Sequence, residues 1–233
     1  AVFIRKSVQE VLISLLITVA IVIATIWVFL GSWKATIIPT VAIPIALVGT
    51  LTGIWLMGFS INLLTLLALV LATGLIVDDA IVVLENIQRQ QSQGVPKRAA
   101  AAIGTRQVFF AVIATTAVLV AVFVPLSFLP STVGRLFREF GFVLAFSVII
   151  SSFVALTLSP AIAAKFTLVE KSDKLNVFAR IGNPLRDLYG RMLKLCLAFP
   201  LVTFFVSLAA AGGAYFAYQN ISSQLVPSED RGR

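Results

Sequence analysis

Six long apolar stretches, separated by short polar segments, make up most of this 233-residue chain. Each stretch is about 20 residues or longer, which is the length that an α-helix needs to cross a hydrocarbon core of about 30 Å. A transmembrane β-barrel would show short segments of alternating polarity instead. The pattern therefore predicts an all-α membrane protein with a six-helix transmembrane bundle, its spans at residues 11–30, 35–57, 61–84, 107–129, 140–164 and 200–219.

The polar segments divide the chain into five regions. Residues 1–10 form a lead-in to the bundle, and residues 11–164 contain the first five spans. Residues 165–199 are the longest polar connection and act as a linker. Residues 200–219 are the sixth span, and residues 220–233 begin another polar region.

Two helices are predicted outside the spans. In the linker, Asn183 and Pro184 fit the N-cap and the first position of a helix. From Leu185 onward, apolar residues recur at the spacing of one helix face, while charged residues occupy the other faces. We expect this amphipathic helix to lie on the cytoplasmic membrane surface, and the alternative is a helix that docks a partner. A short surface helix is also predicted from Pro96 to Ile103.

The basic residues predict the orientation of the helices in the membrane. Twelve of the 18 Lys and Arg residues lie in the connections at 31–34, 85–106 and 165–199, which share one side if all six helices cross. The positive-inside rule makes that side cytoplasmic and both chain ends extracytoplasmic. The net charge of +8 is thus explained by topology, and no nucleic-acid partner is predicted. A chain that starts outside needs an upstream segment to deliver it there, so we expect a fragment of a longer polypeptide.

Composition agrees with a membrane protein and offers little to enzyme chemistry. Hydrophobic residues make up 59% of the chain, and the mean hydropathy is +1.03. The sequence contains no His and a single Cys, Cys196, so neither a zinc site nor a disulfide is expected. It also lacks a Gly-rich phosphate loop and a Ser-His-Asp set. We therefore expect no enzyme activity, no metal and no organic cofactor.

Two adjacent carboxylates, Asp78 and Asp79, lie inside the third apolar stretch, INLLTLLALVLATGLIVDDAIVVLENIQR. A charged side chain at bilayer depth costs about 2.5–3.5 kcal/mol on insertion scales, and such residues commonly line ion or proton paths. Successive helical residues are about 100° apart, so the two carboxylates point to different faces. Asp78 aligns with Gly74 and Glu85, and Asp79 aligns with Asn86. We assign these three neighbours as supporting residues, with Gly74 allowing another helix to approach closely.

The residues alone leave three roles open for the acid pair. A neutral pair can hydrogen-bond helices together, a cation such as sodium can bind, or protons can pass through the pair. Every Lys and Arg lies in a loop or at a span end, so the pair is either largely protonated or has its counter-ion outside this chain. A proton relay is favoured because two coupled carboxylates can change protonation near neutral pH. Hydroxyl donors are available inside the spans at Thr73, Thr115, Thr116, Ser151 and Ser152.

The segment GLIVDDAIVVLENIQR resembles the signature of the fourth transmembrane helix in resistance-nodulation-division (RND) multidrug efflux pumps of the AcrB/MexB type. FLGSWKATIIPTVAIPIALVGT and GFSINLLTL are similar to the region from the second to the fourth helix of that family. AVFVPLSFLPSTVGRLFREF resembles the fifth helix and its outer turn, and FVALTLSPAIAAKF resembles the end of the sixth. SSQLVPSEDRG is similar to the entry into the second extracytoplasmic half. The six spans would then be family helices two to seven.

The resemblance implies a function for the acid pair and for the complete protein. Asp78 and Asp79 would carry protons, the coupling ion, in a drug/proton antiporter of the bacterial inner membrane that gives antibiotic resistance. The cargo would be hydrophobic or amphiphilic small molecules. The working pump would be a homotrimer in the lipid bilayer that joins a periplasmic adaptor and an outer-membrane channel. The drug pockets and the membrane lysine of the family would lie outside this chain.

Other members of the same superfamily remain alternatives. Heavy-metal exporters typically replace the second aspartate of the signature, so Asp79 argues against them. Met57 and Met192 are the only methionines, too few for a relay of soft metal ions. A sterol-sensing-like regulatory membrane domain would bind a ligand without proton flux and would leave the acid pair unexplained. An accessory subunit for protein translocation is a further alternative.

The orientation can be tested by cysteine labelling in a Cys196→Ser background. We expect the loops around Lys97 and Lys174 to be cytoplasmic, because they lie on the basic side, and Ser131 and Gln224 to face outward. A membrane-impermeant thiol reagent should therefore label a Ser131→Cys variant in intact cells whose outer membrane admits the reagent. Labelling only after the inner membrane is permeabilised would show that Ser131 faces the cytoplasm, which is the opposite of the predicted topology.

Overall fold

A computed structural model of the chain describes residues 2–30, 32–128, 130, 132–168 and 176–220. The described part consists of helices and short connections and contains no β-strand. Six of its helices have a segment long and apolar enough to cross a membrane, and α6 does not. The predicted all-α membrane fold is therefore confirmed. The helices are α1 (Val2–Leu30), α2 (Trp33–Leu56), α3 (Leu63–Ser92), α4 (Lys97–Leu126), α5 (Thr132–Ala163), α6 (Asn176–Ala198) and α7 (Pro200–Asn220).

The helices form two compact units, with the division between Asp173 and Lys174. In the first unit, α3 and α5 make the most extensive contact, and α2 and α4 each pack against both of them. Helix α1 packs on α2 and α3. Helices α3 and α5 are accordingly the ones with most of their apolar length buried. In the second unit, α6 and α7 contact each other, and Thr203 Oγ1 donates to the Cys196 carbonyl over 3.2 Å.

Small residues set the closest approaches between helices of the first unit. A Cβ added to Gly53 of α2 would lie 2.7 Å from the ring of Phe146 on α5. One added to Gly104 of α4 would lie 2.9 Å from the Cα of Ile87 on α3. Membrane helices associate through such close contacts, since lipid chains are as apolar as the side chains they replace.

At one end of the bundle, polar side chains join the start of α3 to α5. Asn62 is the N-cap of α3, and its side chain accepts from the Thr65 backbone N–H while the Thr65 hydroxyl accepts from the Asn62 N–H. The Asn62 amide also donates to Glu139 Oε2 of α5 over 2.5 Å, and Ser60 Oγ donates to the same oxygen over 3.3 Å. Glu139 is thereby held at the N-terminus of α3, where a carboxylate is favourable.

At the opposite end, side chains join the end of α3 and the start of α4 to the segment after α5. Gln91 Nε2 donates to the Phe166 carbonyl over 3.3 Å, and its Oε1 accepts from the Leu168 N–H over 2.8 Å. Lys97 Nζ donates to the Lys165 carbonyl over 3.0 Å. The chain that leaves α5 is thus fixed to the end of α3.

The prediction of a separate surface helix from Pro96 to Ile103 is wrong. Helix α3 continues past its apolar stretch to Ser92, and α4 runs without interruption from Lys97 to Leu126. The connection between them is a short turn that contains Gly94 at a φ of +86°, a conformation suited to glycine. The alanine-rich start of α4 favours a helix strongly, so the first turns of α4 continue without a break into the span that follows.

The predicted start of the linker helix at Asn183 and Pro184 is also wrong. Helix α6 begins at Asn176, so Pro184 lies inside it. An interior proline removes one helical hydrogen bond, and the residues around it continue the helix. The apolar residues Leu188, Tyr189 and Met192 are exposed along α6, in keeping with the amphipathic pattern. Its position on a membrane surface stays a prediction.

The predicted lead-in falls within a helix, and three other predicted parts of the chain lie outside the described residues. Helix α1 begins at Val2, so the predicted lead-in at residues 1–10 is helical from its second residue. Ser131, the linker around Lys174 and the region beyond residue 220 lie outside the described residues.

The close contact at Gly104 can be tested by a single added methyl group. We expect Gly104→Ala to destabilise the full-length protein by about 1–3 kcal/mol, because the new Cβ overlaps the backbone of α3 at Ile87. Gly212→Ala is the matched control, since no described atom outside its own helix lies within 4 Å of the added Cβ. The measurement is the thermal unfolding midpoint of each purified variant. Equal midpoints for both substitutions would contradict the packing described here.

Candidate functional site

Asp79 of α3 is buried, with 9% of its surface exposed, and it faces α5. Ser152 Oγ of α5 donates to Asp79 Oδ2 over 2.6 Å. The same hydroxyl lies 3.1 Å from the Val148 carbonyl of its own helix, which is a second acceptor for its proton. Ser152 also shares a hydrogen bond with the hydroxyl of Thr116 on α4, which in turn lies 2.7 Å from the Val112 carbonyl. A chain of hydroxyls thus connects α4 and α5 to the carboxylate on α3.

A second serine contacts α3 beside the acid pair. Ser151 Oγ donates to the backbone carbonyl of Ile76 over 2.8 Å. Ser151 and Ser152 are both buried. These two consecutive residues of α5 donate hydrogen bonds to α3 within one helical turn. Helix α5 is therefore fixed to α3 at the depth of the carboxylates.

Asp78 lies on a different face of α3 from Asp79, as its helical angle predicts. Asp78, Gly74 and Glu85 are all exposed. Apart from the backbone of its own helix, no described atom lies within 4 Å of the position of a Cβ on Gly74. These three residues form a face of α3 that the described helices leave open. Their roles as relay and supporting residues stay predictions.

Asn86, the third supporting residue, contacts α4 and not the carboxylates. Its amide donates to the Gly104 carbonyl over 2.8 Å and to Gln107 Oε1 over 2.9 Å. Gln90 Nε2 donates to the same Gln107 oxygen over 3.0 Å. Asn86 is two helical turns, about 10 Å, along α3 from Asp79. Its observed contacts are those of a residue that packs helices together.

Of the hydroxyl donors named from the sequence, Ser152 contacts Asp79 and Thr116 contacts Ser152. Thr73 and Thr115 bond to carbonyls of their own helices. Gln107 was not predicted to take part in these contacts, although a glutamine at the start of an apolar span is an indication of a polar contact. Within the described ranges, no group of three or more His, Cys, Asp or Glu residues could hold a metal ion. The arrangement places an acid beside hydroxyls that can both donate and accept a hydrogen bond.

A sequence profile of AcrB/AcrD/AcrF proteins matches residues 1–233. The chain belongs to the AcrB/AcrD/AcrF family. The resemblance to RND efflux pumps that the acid pair suggested is thereby confirmed, and the candidate site lies in the membrane bundle of a member of that family.

Curated relatives of this AcrB/AcrD/AcrF-family chain include multidrug resistance proteins. MdtC of Yersinia enterocolitica is 41% identical over 233 residues, which are 99% of this chain and 23% of the relative. MdtC of Photorhabdus laumondii is 40% identical over 99% of this chain and 22% of its own length. MdtC of Yersinia pestis is 40% identical over 99% of this chain and 23% of its own length. The chain thus spans less than a quarter of the relatives that it matches.

The contact between Ser152 and Asp79 can be tested by infrared spectroscopy of the full-length protein. At a pH low enough to protonate the acid, we expect Ser152→Ala to move the Asp79 carboxyl band to higher frequency, since the carboxyl loses a hydrogen bond of 2.6 Å. Asp79→Asn assigns the band. Ser147→Ala is the matched control, because among the described residues the Ser147 hydroxyl bonds only within α5, to the Val143 carbonyl. An unmoved band in Ser152→Ala would exclude the contact.

Proposed function

We propose that the complete protein is a proton-driven multidrug exporter of the bacterial inner membrane, and that this chain supplies part of its proton relay. The observation that carries the proposal is the position of the acid pair. Asp79 is buried in hydrogen-bond contact with α5, while Asp78 is exposed on the adjacent face of α3. Membership of the AcrB/AcrD/AcrF family and similarity to proteins named for multidrug resistance support the same function.

Ser152 allows Asp79 to gain and lose a proton without breaking the contact between α3 and α5. When Asp79 is ionised, the serine hydroxyl donates to the carboxylate over 2.6 Å. When Asp79 is protonated, its own O–H can donate to Ser152, and the serine hydroxyl can turn to the Val148 carbonyl at 3.1 Å. The direction of the hydrogen bond reverses, and each proton still has an acceptor.

Asp78 is the member of the pair that exchanges protons with the rest of the pump. Two neighbouring carboxylates repel when both are ionised, so the protonation of one depends on the other. Asp78 opens onto the face of α3 that the described helices leave free, and a cation from another part of the pump would act there. Movement of one proton across the membrane supplies about 2.3 kcal/mol per 100 mV of potential.

We assign cargo binding and assembly to regions outside this chain, because the chain covers 23% of its relative from Yersinia enterocolitica. The cargo class is hydrophobic or amphiphilic small molecules, and the assembly is a homotrimer with a periplasmic adaptor and an outer-membrane channel. Both assignments rest on the family. Both ends of the chain are extracytoplasmic in this proposal, in accordance with the basic residues in the connections.

The relay can be tested with the full-length protein in proteoliposomes. We expect Asp78→Asn and Asp79→Asn each to abolish export of an amphiphilic dye driven by a pH gradient in sodium-free buffer. Asn is nearly isosteric with Asp but has no acidic proton to exchange. Asp187→Asn is the matched control, because Asp187 is an exposed acid on α6, outside the predicted spans, and this variant should export at the wild-type rate.

Two results would contradict the relay. Export at the wild-type rate by either site variant would remove that aspartate from the proton path. Export by the wild type that requires a sodium gradient and ignores the pH gradient would replace protons by sodium. Size-exclusion chromatography of every variant separates loss of transport from loss of assembly.

A further inference from the structure

The middle of α4 reaches the acid site through a single side chain. Between residues 108 and 126, only Thr115 and Thr116 have side chains that can form a hydrogen bond. The Thr115 hydroxyl donates to carbonyls of its own helix over 2.9 Å and 3.1 Å. The Thr116 hydroxyl, in contrast, also meets the Ser152 hydroxyl of α5. Thr116 is therefore the point at which the middle of α4 is attached to the site that contains Asp79.

The Ser152 hydroxyl can accept a hydrogen bond from α4 while it donates to Asp79. A hydroxyl carries one proton and two lone pairs. The Ser152 oxygen lies 2.6 Å from Asp79 Oδ2 and 3.1 Å from the Val148 carbonyl. When Asp79 is ionised, the serine proton goes to the closer and charged acceptor, since hydrogen bonds to a charged group are the stronger ones. Both lone pairs of the serine then remain, and Thr116 is in contact to donate to one of them.

Thr116 has a second acceptor, so its proton can also point away from Ser152. The threonine hydroxyl lies 2.7 Å from the Val112 carbonyl, one turn earlier in α4. The same carbonyl accepts the backbone N–H of Thr116 in the helix, and it therefore stays paired when the hydroxyl turns toward Ser152. The two orientations of Thr116 differ by the rotation of one O–H bond, and its proton has an acceptor in both.

We infer that Thr116 is a positioning residue of the proton relay, an assignment that rests on the proposed function. With Asp79 ionised, Thr116 donates to Ser152 and Ser152 donates to the carboxylate. Successive donors that point in one direction polarise and strengthen each other. With Asp79 protonated, the acid donates to Ser152. The serine proton then has two acceptors, the Val148 carbonyl and the Thr116 oxygen, and the threonine proton goes to the Val112 carbonyl.

Packing and positioning make different demands on residue 116. Packing depends on the shape of the side chain, which valine nearly reproduces without the hydroxyl. Positioning depends on the hydroxyl, which serine retains on a smaller side chain. Thr116→Val and Thr116→Ser therefore separate the two roles.

The inference can be tested by infrared spectroscopy of the full-length protein at a pH low enough to protonate Asp79. We expect Thr116→Val to move the Asp79 carboxyl band in the same direction as Ser152→Ala but by less, because Ser152 loses the neighbour that polarises it. Thr116→Ser should leave the band close to its wild-type position. Thr115→Val is the matched control and should not move the band, since the Thr115 hydroxyl bonds, among the described residues, to carbonyls of its own helix.

A double variant shows whether Thr116 acts through Ser152. In a Ser152→Ala background the threonine has lost the hydroxyl that it contacts on α5, so the addition of Thr116→Val should not move the band further. A residue that acts on Asp79 by its shape alone would shift the band equally in both backgrounds. This measurement does not depend on transport.

Export of an amphiphilic dye in proteoliposomes connects the contact to the relay. We expect Thr116→Val to lower the rate of export driven by a pH gradient by roughly fivefold, which is the factor that one hydrogen bond is worth. Thr116→Ser should recover most of the lost rate. Thr115→Val should export as the wild type does.

The inference is overturned by an unmoved band in Thr116→Val, or by equal shifts with and without Ser152→Ala. It is also overturned by wild-type export in Thr116→Val, or by a loss in Thr116→Ser as large as that in Thr116→Val, because residue 116 would then act by packing. If Asp79→Asn abolishes export, each of these failures concerns Thr116 alone. Export by Asp79→Asn at the wild-type rate would remove the relay itself and the inference with it.

Discussion

The contact between α3 and α5 holds the first unit together, because every other helix of that unit packs on at least one of these two. In a bilayer the hydrophobic effect does not drive helices together, so their association depends on close packing and on interhelical hydrogen bonds worth about 0.6 kcal/mol each on average. The small, fully buried residues Ala68 and Ala72 of α3 permit close packing. Ser151 and Ser152 supply interhelical hydrogen bonds at the depth of the acid pair. The bond that involves Asp79 is therefore both a packing contact and part of the candidate site.

This double role limits what a change of protonation can do. A buried polar group that loses its partner is costly, so a carboxylate that alternates between two states needs a neighbour that suits both. A serine meets that requirement because its hydroxyl can donate or accept, whereas a lysine can only donate. In the proposed relay, the residues that pack α3 against α5 would thus remain in contact in either state, and Asp78, on the open face, would be the group whose surroundings change.

The hydrophobic pattern was sufficient to predict the six spans and the division of the two carboxylates between two faces of one helix. Both follow from the length and the angular period of an α-helix, which depend only on local sequence. The pattern could not predict which hydroxyl meets Asp79. Thr73, Thr115 and Ser152 all lie inside the spans, but Thr73 and Thr115 bond to carbonyls of their own helices, whereas Ser152 bonds to Asp79 as well as to a carbonyl of its own helix. The helix ends were predicted less well for a related reason. Pro96 and Pro184 are local signals for a helix start, and only Pro96 immediately precedes one, because Pro184 lies within a sequence that is helical on both sides.

Gln91 gives the end of α3 a mechanical connection that its sequence position does not suggest. Its amide pairs with both the Phe166 carbonyl and the Leu168 N–H, as a neighbouring peptide group would. The chain just beyond α5 is therefore attached to α3 by two bonds that act in opposite directions, one donated and one accepted. A sliding movement of α3 along its axis would pull this segment with it, and the acid pair lies on the same rigid rod some three turns away. A displacement that begins at the carboxylates would in this way move the backbone at the start of the connection to α6.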